Sequence, residues 1–146
     1  MRRLPALGVV LAVAAAGSGP AHAVRQTQSP AAVVRAWSAA LNANRNEAAA
    51  RLFAPNARVV QGPFDIRLRT HRAAVAFNAA LPCAGRIVRV TVQGHRATAT
   101  FVLGHRPQHT CDGPGQKAAA VFVVSDGGKI TLWEQIPVPT ENKPTA

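Results

Sequence analysis

The spacing of apolar residues changes from helical to alternating near residue 86, and this change limits the fold more than any other feature. Four later segments have the two-residue period of half-buried strands. They are 86–92, 96–103, 117–124 and 129–136. The first two are separated by Gln93-Gly94-His95, and the last two by a turn that contains Asp126-Gly127, a strong hairpin signal. We therefore expect four consecutive antiparallel strands.

The residues before the strands have a helical period. Ser29-Pro30 is typical of a helix start, because Ser caps the free amides and Pro suits the first turn. Apolar residues then recur at spacings of three and four, at Val33, Val34, Trp37, Ala40 and Leu41. We expect a helix of about four turns that ends within 42–46. Asn46 is expected to cap a short second helix that Pro55 stops, with an apolar side of Ala49, Leu52 and Phe53.

Two short strands and a third helix complete the predicted elements. The strands are 58–60 and 64–68, joined by a turn at Gly62-Pro63. Thr70 is placed to cap the helix, and Pro82 to end it. One face of this helix carries Ala74, Phe77, Asn78 and Leu81. The order of elements predicts an α+β domain with its helices on one face of the sheet.

The N-terminus has the pattern of an export signal. Arg2 and Arg3 precede an apolar run over 4–16, and Ala21-His22-Ala23 is the small-x-small pattern of a cleavage site. The run is shorter than the ~20 residues of a membrane span. Cleavage after Ala23 would leave 123 of the 146 residues and a charge of +9 instead of +11. We expect a secreted or periplasmic protein with a signal peptide at 1–23, a flexible lead-in at 24–29, one domain at 30–136 and a disordered tail at 137–146.

The chain has two cysteines, Cys83 and Cys111, which in an exported protein predict a disulfide. The alternative is a metal site, because His105 and His109 lie close to Cys111. Pro107 disfavours a helical histidine pair, and there is no Cys-x-x-Cys, so we favour the disulfide and expect no metal. The predicted hairpin places both cysteines at the same end of its strands, where they can meet.

Three segments resemble the nuclear transport factor 2-like superfamily and, within it, the SnoaL-like domains common in bacteria. They are Val33-Val34-Arg35-Ala36-Trp37-Ser38-Ala39-Ala40-Leu41-Asn42, Ala50-Arg51-Leu52-Phe53-Ala54-Pro55-Asn56-Ala57 and Asp126-Gly127-Gly128-Lys129-Ile130-Thr131-Leu132-Trp133-Glu134-Gln135. The resemblance covers most of 30–136. It implies three helices packed on the concave face of a curved, mainly antiparallel sheet, a cone with one apolar pocket, and frequent dimers across the outer face. Members include isomerases, cyclases, hydrolases and dehydratases as well as binding domains, so the fold does not choose a function.

Acid–base chemistry in such a pocket needs an ionisable side chain at the substrate. The chain has no Tyr and six carboxylates, at Glu47, Asp65, Asp112, Asp126, Glu134 and Glu141. Asp65 is the candidate general base, and a solvated partner of nearby arginines is its other interpretation. The resemblance implies that Trp133 faces the inside of the cone and that Glu134, the next residue of the strand, faces outward. Four of the five histidines follow the predicted signal peptide and are expected on the surface or in turns, at His71, His95, His105 and His109.

We predict that the pocket wall consists of Trp37, Leu41, Phe53, Phe77, Asn78, Phe101, Trp133 and Gln135. The prediction is an exported domain that binds a small apolar or amphipathic ligand, without a cofactor. The alternatives are an isomerase-, cyclase- or hydratase-type enzyme that uses Asp65 or a His, and a protein-interaction module. The basic residues, 14 Arg and three Lys, are scattered and lack interleaved aromatics, so no nucleic-acid partner is expected. The other partners considered are an anionic envelope component and a second copy of the chain, which would form a homodimer.

Overall fold

A computed structural model describes residues 27–140. The predicted signal peptide at 1–23 lies outside these residues, as do parts of the predicted lead-in and tail. Residues 27–29 and 137–140 are in neither a helix nor a strand. Within 27–140 no helix is long and apolar enough to cross a membrane.

Residues 27–140 form three helices, and the first and the third begin where the capping signals predict. They are α1 (Pro30–Asn42), α2 (Asn46–Ala50) and α3 (His71–Ala80). Ser29 Oγ accepts a hydrogen bond from the Ala32 amide at 3.2 Å, and Thr70 Oγ1 accepts one from the Ala73 amide at 3.1 Å. The expected cap of α2 is wrong, because Arg45 occupies the cap position and Asn46 is the first helical residue. The Asn46 side chain has another partner, described below.

Six strands of residues 27–140 form one sheet. They are β1 (Phe53–Gln61), β2 (Phe64–Leu68), β3 (Cys83–Gln93), β4 (Arg96–His105), β5 (Lys117–Val124) and β6 (Ile130–Ile136). Their order across the sheet is β2-β1-β6-β5-β4-β3. The predicted succession of four antiparallel strands is confirmed, since β3 to β6 pair as consecutive antiparallel neighbours. The last strand, β6, also pairs with β1 in parallel.

The segment around Pro55 differs from the prediction. Phe53 begins β1 instead of ending a helix, and Pro55 lies inside the strand. The register with β6 shifts between Phe53 and Arg58, and Asn56 has a φ of 59°. Pro55 has no N–H for the ladder, and a bulge is where a strand accommodates such a residue. The proline therefore bends a strand here and does not stop a helix.

The core lies between the concave face of the sheet and the three helices, as predicted for an α+β domain. Helix α1 contributes Val33, Val34 and Trp37, and the sheet contributes Phe122 and Ile130, all 5% exposed or less. The fold is the expected one, with three helices on one side of a curved, mainly antiparallel sheet.

A disulfide joins Cys83 to Cys111, as predicted, with their Cα atoms 4.6 Å apart. Cys83 is the first residue of β3 and pairs with His105, the last residue of β4. The bond therefore ties the loop between β4 and β5 to one end of the β3–β4 hairpin.

Candidate ligand-binding cavity

A cavity of about 240 Å³ lies between α1 and one end of the sheet. At this end β1, β4 and β6 finish, and β2, β3 and β5 begin. Here the space between the helical layer and the sheet is not filled by side chains. An apolar cavity of about 150 Å³ accommodates benzene, so this one has room for a molecule of roughly two fused rings.

Three aromatic rings form the inner part of the wall. Trp37 comes from α1, Phe101 from β4 and Trp133 from β6. The Trp37 ring centroid lies 6.3 Å from that of Phe101 and 6.4 Å from that of Trp133. The other apolar wall residues are Leu41, Leu81, Pro82, Cys83, Leu103 and the small residues Gly85 and 118–120.

A buried amide fixes the Trp37 ring. Trp37 Nε1 donates to Asn78 Oδ1 at 2.8 Å, and Asn78 Nδ2 donates to the Ala74 carbonyl at 2.8 Å. Asn78 is fully buried, so neither hydrogen bond competes with water. Helix α3 thus holds the orientation of a ring on α1, and the cavity wall is formed before any ligand arrives.

Some of the predicted wall residues lie at the cavity and others behind it. Trp37, Leu41, Phe101, Trp133 and Gln135 line it. Phe53, Phe77 and Asn78 do not. Phe77 packs 5.8 Å from Phe53 and 5.2 Å from Trp133, between ring centroids, and so supports Trp133 from the side away from the cavity.

The first residues of β3 are bonded directly to α1. Ser38 Oγ donates to the Gly85 carbonyl at 2.9 Å, and Asn42 both donates to that carbonyl and accepts from the Gly85 amide. A Cβ on Gly85 would lie 2.9 Å from Phe101 Cδ1, too close for any larger residue. Glycine is therefore required for the aromatic wall and α1 to meet at this point. The sequence offers no pattern that predicts this contact.

Two carboxamides supply the polar side chains at the open end of the cavity. Gln61 is half-buried at the end of β1, and Gln135 is exposed near the end of β6. No Asp, Glu, His, Lys, Arg or Tyr from residues 27–140 lines the cavity. Trp133 Nε1 is buried without a hydrogen-bond partner among the described residues. The interior is thus apolar and uncharged, with one unpaired donor in its wall.

The candidate general base, Asp65, lies away from the cavity. It accepts a hydrogen bond from Arg58 Nε at 2.9 Å, and this bond lowers the pKa of its carboxyl. Its register partner Val60 projects from the convex face, opposite to the neighbouring Val59, which is buried in the core. Asp65 therefore has the environment of a solvated salt-linked residue.

Glu134 and the histidines also lie outside the cavity wall. Glu134 neighbours Trp133 on β6 and projects to the convex face, as the resemblance implied. His71 Nε2 lies 2.6 Å from Glu47 Oε2, and His95 Nε2 lies 3.4 Å from Asp126 Oδ1, both pairs being exposed. His105 Nδ1 accepts from the Cys111 amide, and His109 is in the loop after β4. Residues 27–140 contain no group of three His, Cys, Asp or Glu side chains that could hold a metal.

Arg106 is a buried residue that sequence reasoning missed. It is the first residue of the loop after β4 and is only 2% exposed. It donates to the carbonyls of Asn78 and Leu81 at 2.8 and 2.7 Å, and to the Oδ1 atoms of Asn44 and Asn46, each at 2.6 Å. Burial lowers the pKa of its guanidinium. Arg106 thereby holds the end of α3 next to Leu81, which lines the cavity.

A domain of three helices on a curved sheet, with an apolar cavity at one end, is the architecture shared by many ligand-binding proteins and small enzymes. The profile of the SnoaL-like domain family matches residues 34–133, and the chain belongs to this family. No curated protein sequence matches the chain significantly.

Solved structures show the same fold. A nuclear transport factor 2-like protein of unknown function from Cytophaga hutchinsonii aligns with a TM-score of 0.61 at 13% identity, over 76% of this chain and 92% of that one. A proposed polyketide cyclase from Sinorhizobium meliloti aligns with a TM-score of 0.56 at 23% identity, over 71% of this chain and 93% of that one. A protein with a ketosteroid isomerase-like fold from Catenulispora acidiphila, in complex with trimethylamine, aligns with a TM-score of 0.61 at 18% identity. The alignment covers 75% of this chain and 87% of that one. At these identities the likeness concerns the fold alone.

Proposed function

We propose that this protein binds a small apolar or amphipathic molecule in the cavity between α1 and the sheet. The observation that carries the proposal is the cavity itself, about 240 Å³ of space walled by three aromatic rings and small aliphatic groups. Its wall is fixed by Asn78 and by the bonds from Ser38 and Asn42 to Gly85. A preformed apolar wall binds without the entropic cost of ordering it.

The chemistry of the wall favours binding over catalysis. The name of one structural neighbour includes polyketide cyclase, and that of another refers to a ketosteroid isomerase-like fold. Enzymes of both classes move protons at the substrate. Such a step needs a donor or acceptor within hydrogen-bond reach of it. None of the ionisable side chains in residues 27–140 lines the cavity, and the Cys83 sulfur that does is in a disulfide.

Both tryptophans of the chain line the cavity, so their fluorescence can test the proposal directly. We expect saturable fluorescence changes and a raised melting temperature with some members of a panel of lipids and polyketides. Native mass spectrometry of the freshly purified protein should show a co-purified compound. The absence of any bound compound, together with no thermal shift across the panel, would contradict the proposal.

A filled cavity provides the matched control. Ala118 lines the cavity from the concave face of β5, so Ala118→Leu should reduce the space and weaken binding. Ala84 is also a half-buried strand alanine but does not line the cavity, and Ala84→Leu should leave binding unchanged. Equal effects of the two substitutions would place the ligand elsewhere. Turnover of any bound compound would instead favour the enzyme alternative.

We also propose that the protein is exported to the periplasm or the medium. The supporting observations are the signal-like pattern over 1–23 and the Cys83–Cys111 disulfide, which is stable in an oxidising compartment. Mass spectrometry of the protein recovered from its native compartment should give Val24 as the first residue. A cytoplasmic protein that begins at Met1 or Arg2 would refute export.

Two further contacts are proposed on the surface. The convex face of the sheet carries the half-buried apolar side chains of Val60, Leu132 and Ile136, which a second copy of the chain would cover. Sedimentation velocity should then give a dimer. The excess of 17 basic over six acidic residues would attract an anionic envelope polymer, with an affinity that falls as salt rises. A monomer in sedimentation would refute the dimer, and an affinity that does not depend on salt would refute the anionic partner.

A further inference from the structure

The two glutamines at the mouth of the cavity lie side by side. Val60 of β1 pairs with Glu134 of β6, so the next residues, Gln61 and Gln135, are neighbours on parallel strands. Val59 and Trp133 pair on the concave face, and Gln61 and Gln135 project from that same face two residues later. Adjacent strands are about 4.8 Å apart, so the two carboxamides can reach one bound atom.

Neither carboxamide is used within the domain. No side-chain hydrogen bond joins Gln61 or Gln135 to any residue in the part of the chain that the structure describes. By contrast, the amides of Asn42, Asn44 and Asn78 each bond to another group at 3.0 Å or less. The amides that support the wall from behind are thus paired, whereas the two carboxamides at its opening are left to bind solvent or ligand.

We propose that Gln61 and Gln135 form a recognition site for one neutral hydrogen-bonding group, such as a hydroxyl, keto or amide group, of a ligand whose apolar body fills the cavity. This inference rests on the proposed function and names the class of ligand. Each carboxamide has both a donor and an acceptor, so the pair can bind a group that donates, accepts or does both.

The same site rejects ionised ligands. A carboxylate between two neutral amides, beside an apolar wall without a counter-charge, loses water that the protein does not replace with a cation. Arg106, the one buried cation among residues 27–140, is bonded to four acceptors and does not line the cavity. The excess of basic residues on the chain therefore does not make this an anion site.

Three probes with the same carbon cage test the proposal. They are 1-adamantanol, adamantane-1-carboxylate and 1-chloroadamantane, and tryptophan fluorescence and calorimetry can follow their binding. At pH 7 we expect the alcohol to bind at least tenfold more tightly than the carboxylate. The carboxylate should gain affinity when the pH falls below its own pKa, because the neutral acid regains the two amide partners.

Variants assign the selectivity to the two residues. Gln61→Leu and Gln135→Leu should each lower the affinity for 1-adamantanol about three- to tenfold. Neither should change the affinity for 1-chloroadamantane. Gln93→Leu is the matched control, since Gln93 is an exposed strand residue at the opposite end of β3. It should leave the affinities of all three probes as they are.

The outcomes separate this inference from the proposed function. The recognition site is overturned if 1-chloroadamantane and 1-adamantanol bind with equal affinity, or if neither Leu variant changes the affinity for 1-adamantanol. The cavity would still be a ligand site in either case. A carboxylate that binds as tightly as the alcohol at pH 7 also overturns the recognition site. If none of the three probes binds, both proposals fail for ligands of this size. The comparison of probes on the unaltered protein decides the matter even if a variant does not fold.

Discussion

Replacement of Arg106 by Met tests the interpretation that a buried cation holds the wall of the cavity in place. Arg106 is 2% exposed, and its guanidinium joins three segments: the end of α3, the start of α2 with the loop before it, and the loop after β4. Met is unbranched, reaches about as far as the Nε position of Arg, and has no polar hydrogen. The substitution therefore removes all four hydrogen bonds while it keeps an apolar side chain in the place of the aliphatic part of Arg106.

The size of the effect follows from which acceptors can find water afterwards. Four hydrogen bonds to a charged donor would be worth roughly 6–12 kcal/mol at about 1.5–3 kcal/mol each. Burial of the guanidinium costs several kcal/mol, which offsets much of that sum. Asn44 and Asn46 are half-exposed and can turn their amides to solvent. The carbonyls of Asn78 and Leu81 cannot turn, and at ~1–3 kcal/mol for each unpaired group the net loss should be about 3 kcal/mol.

Guanidinium chloride unfolding of the disulfide-intact protein, followed by tryptophan fluorescence, measures this loss. We expect a lower midpoint with an unchanged m-value. Arg86→Met is the matched control, because Arg86 is exposed on β3 and its loss should change stability by less than ~0.5 kcal/mol. The guanidinium stays protonated throughout the neutral range, so the difference should not vary between about pH 5 and pH 8. A loss for Arg106→Met below 1 kcal/mol, or no larger than that of the control, would refute the reasoning.

Three other predictions concern the stability of the fold. Replacement of both Cys83 and Cys111 by Ser should cost about 3.5 kcal/mol for a loop of 28 positions, and an unchanged unfolding midpoint on reduction would contradict this. Because the pKa of Asp65 is lowered in the folded state, its ion pair stabilises the fold at pH values above the ordinary pKa near 3.8. This stabilisation is lost as the pH falls through the folded-state pKa. Asp65→Asn and Arg58→Gln should therefore each flatten the acid limb of a stability–pH curve, whereas a limb as steep as wild type would show that the pair is not formed. Phe64→Ser should change stability by less than about 0.5 kcal/mol, since Phe64 is 68% exposed, and a larger loss in the same unfolding assay would reveal a contact that buries it.

Local signals were sufficient for much of the fold. Ser29 and Thr70 are capping residues whose side chains bond to backbone three positions later, so the helix starts depend on nearby residues alone. Alternation on β6 assigned Trp133 and Gln135 to one face and Glu134 to the other, because a strand fixes side-chain direction with a period of two.

The errors arose where a distant contact decides the local structure. Pro55 and Phe53 have helix-end and helix-face spacing, yet pairing with β6 extends this segment into a strand. Asn46 has the type of a capping residue, but its amide bonds to Arg106, which is far away in sequence. Propensity is a weak prior that such tertiary contacts override.

The candidate site was predictable only in part for the same reason. The aromatic residues of the wall stand out by their spacing and face. Phe77 and Asn78 share those features, and their position behind Trp37 and Trp133 depends on how closely α3 approaches α1. Gly85 contributes through a Cβ that is absent, which no pattern of side chains can reveal.

The position of β6 between β1 and β5 also sets the order in which the molecule can assemble. The β1–β2 hairpin has its sheet connection to β3, β4 and β5 only through this last strand. During synthesis, the hairpin and the β3–β5 meander therefore emerge as two unconnected pieces that expose strand edges until residues 130–136 arrive. Pairing of β1 with β6 also closes most of the domain into one loop, a step that is slow because of its entropic cost. The chain becomes a single cooperative unit only when its last strand inserts, and with it the tryptophan that completes the cavity wall.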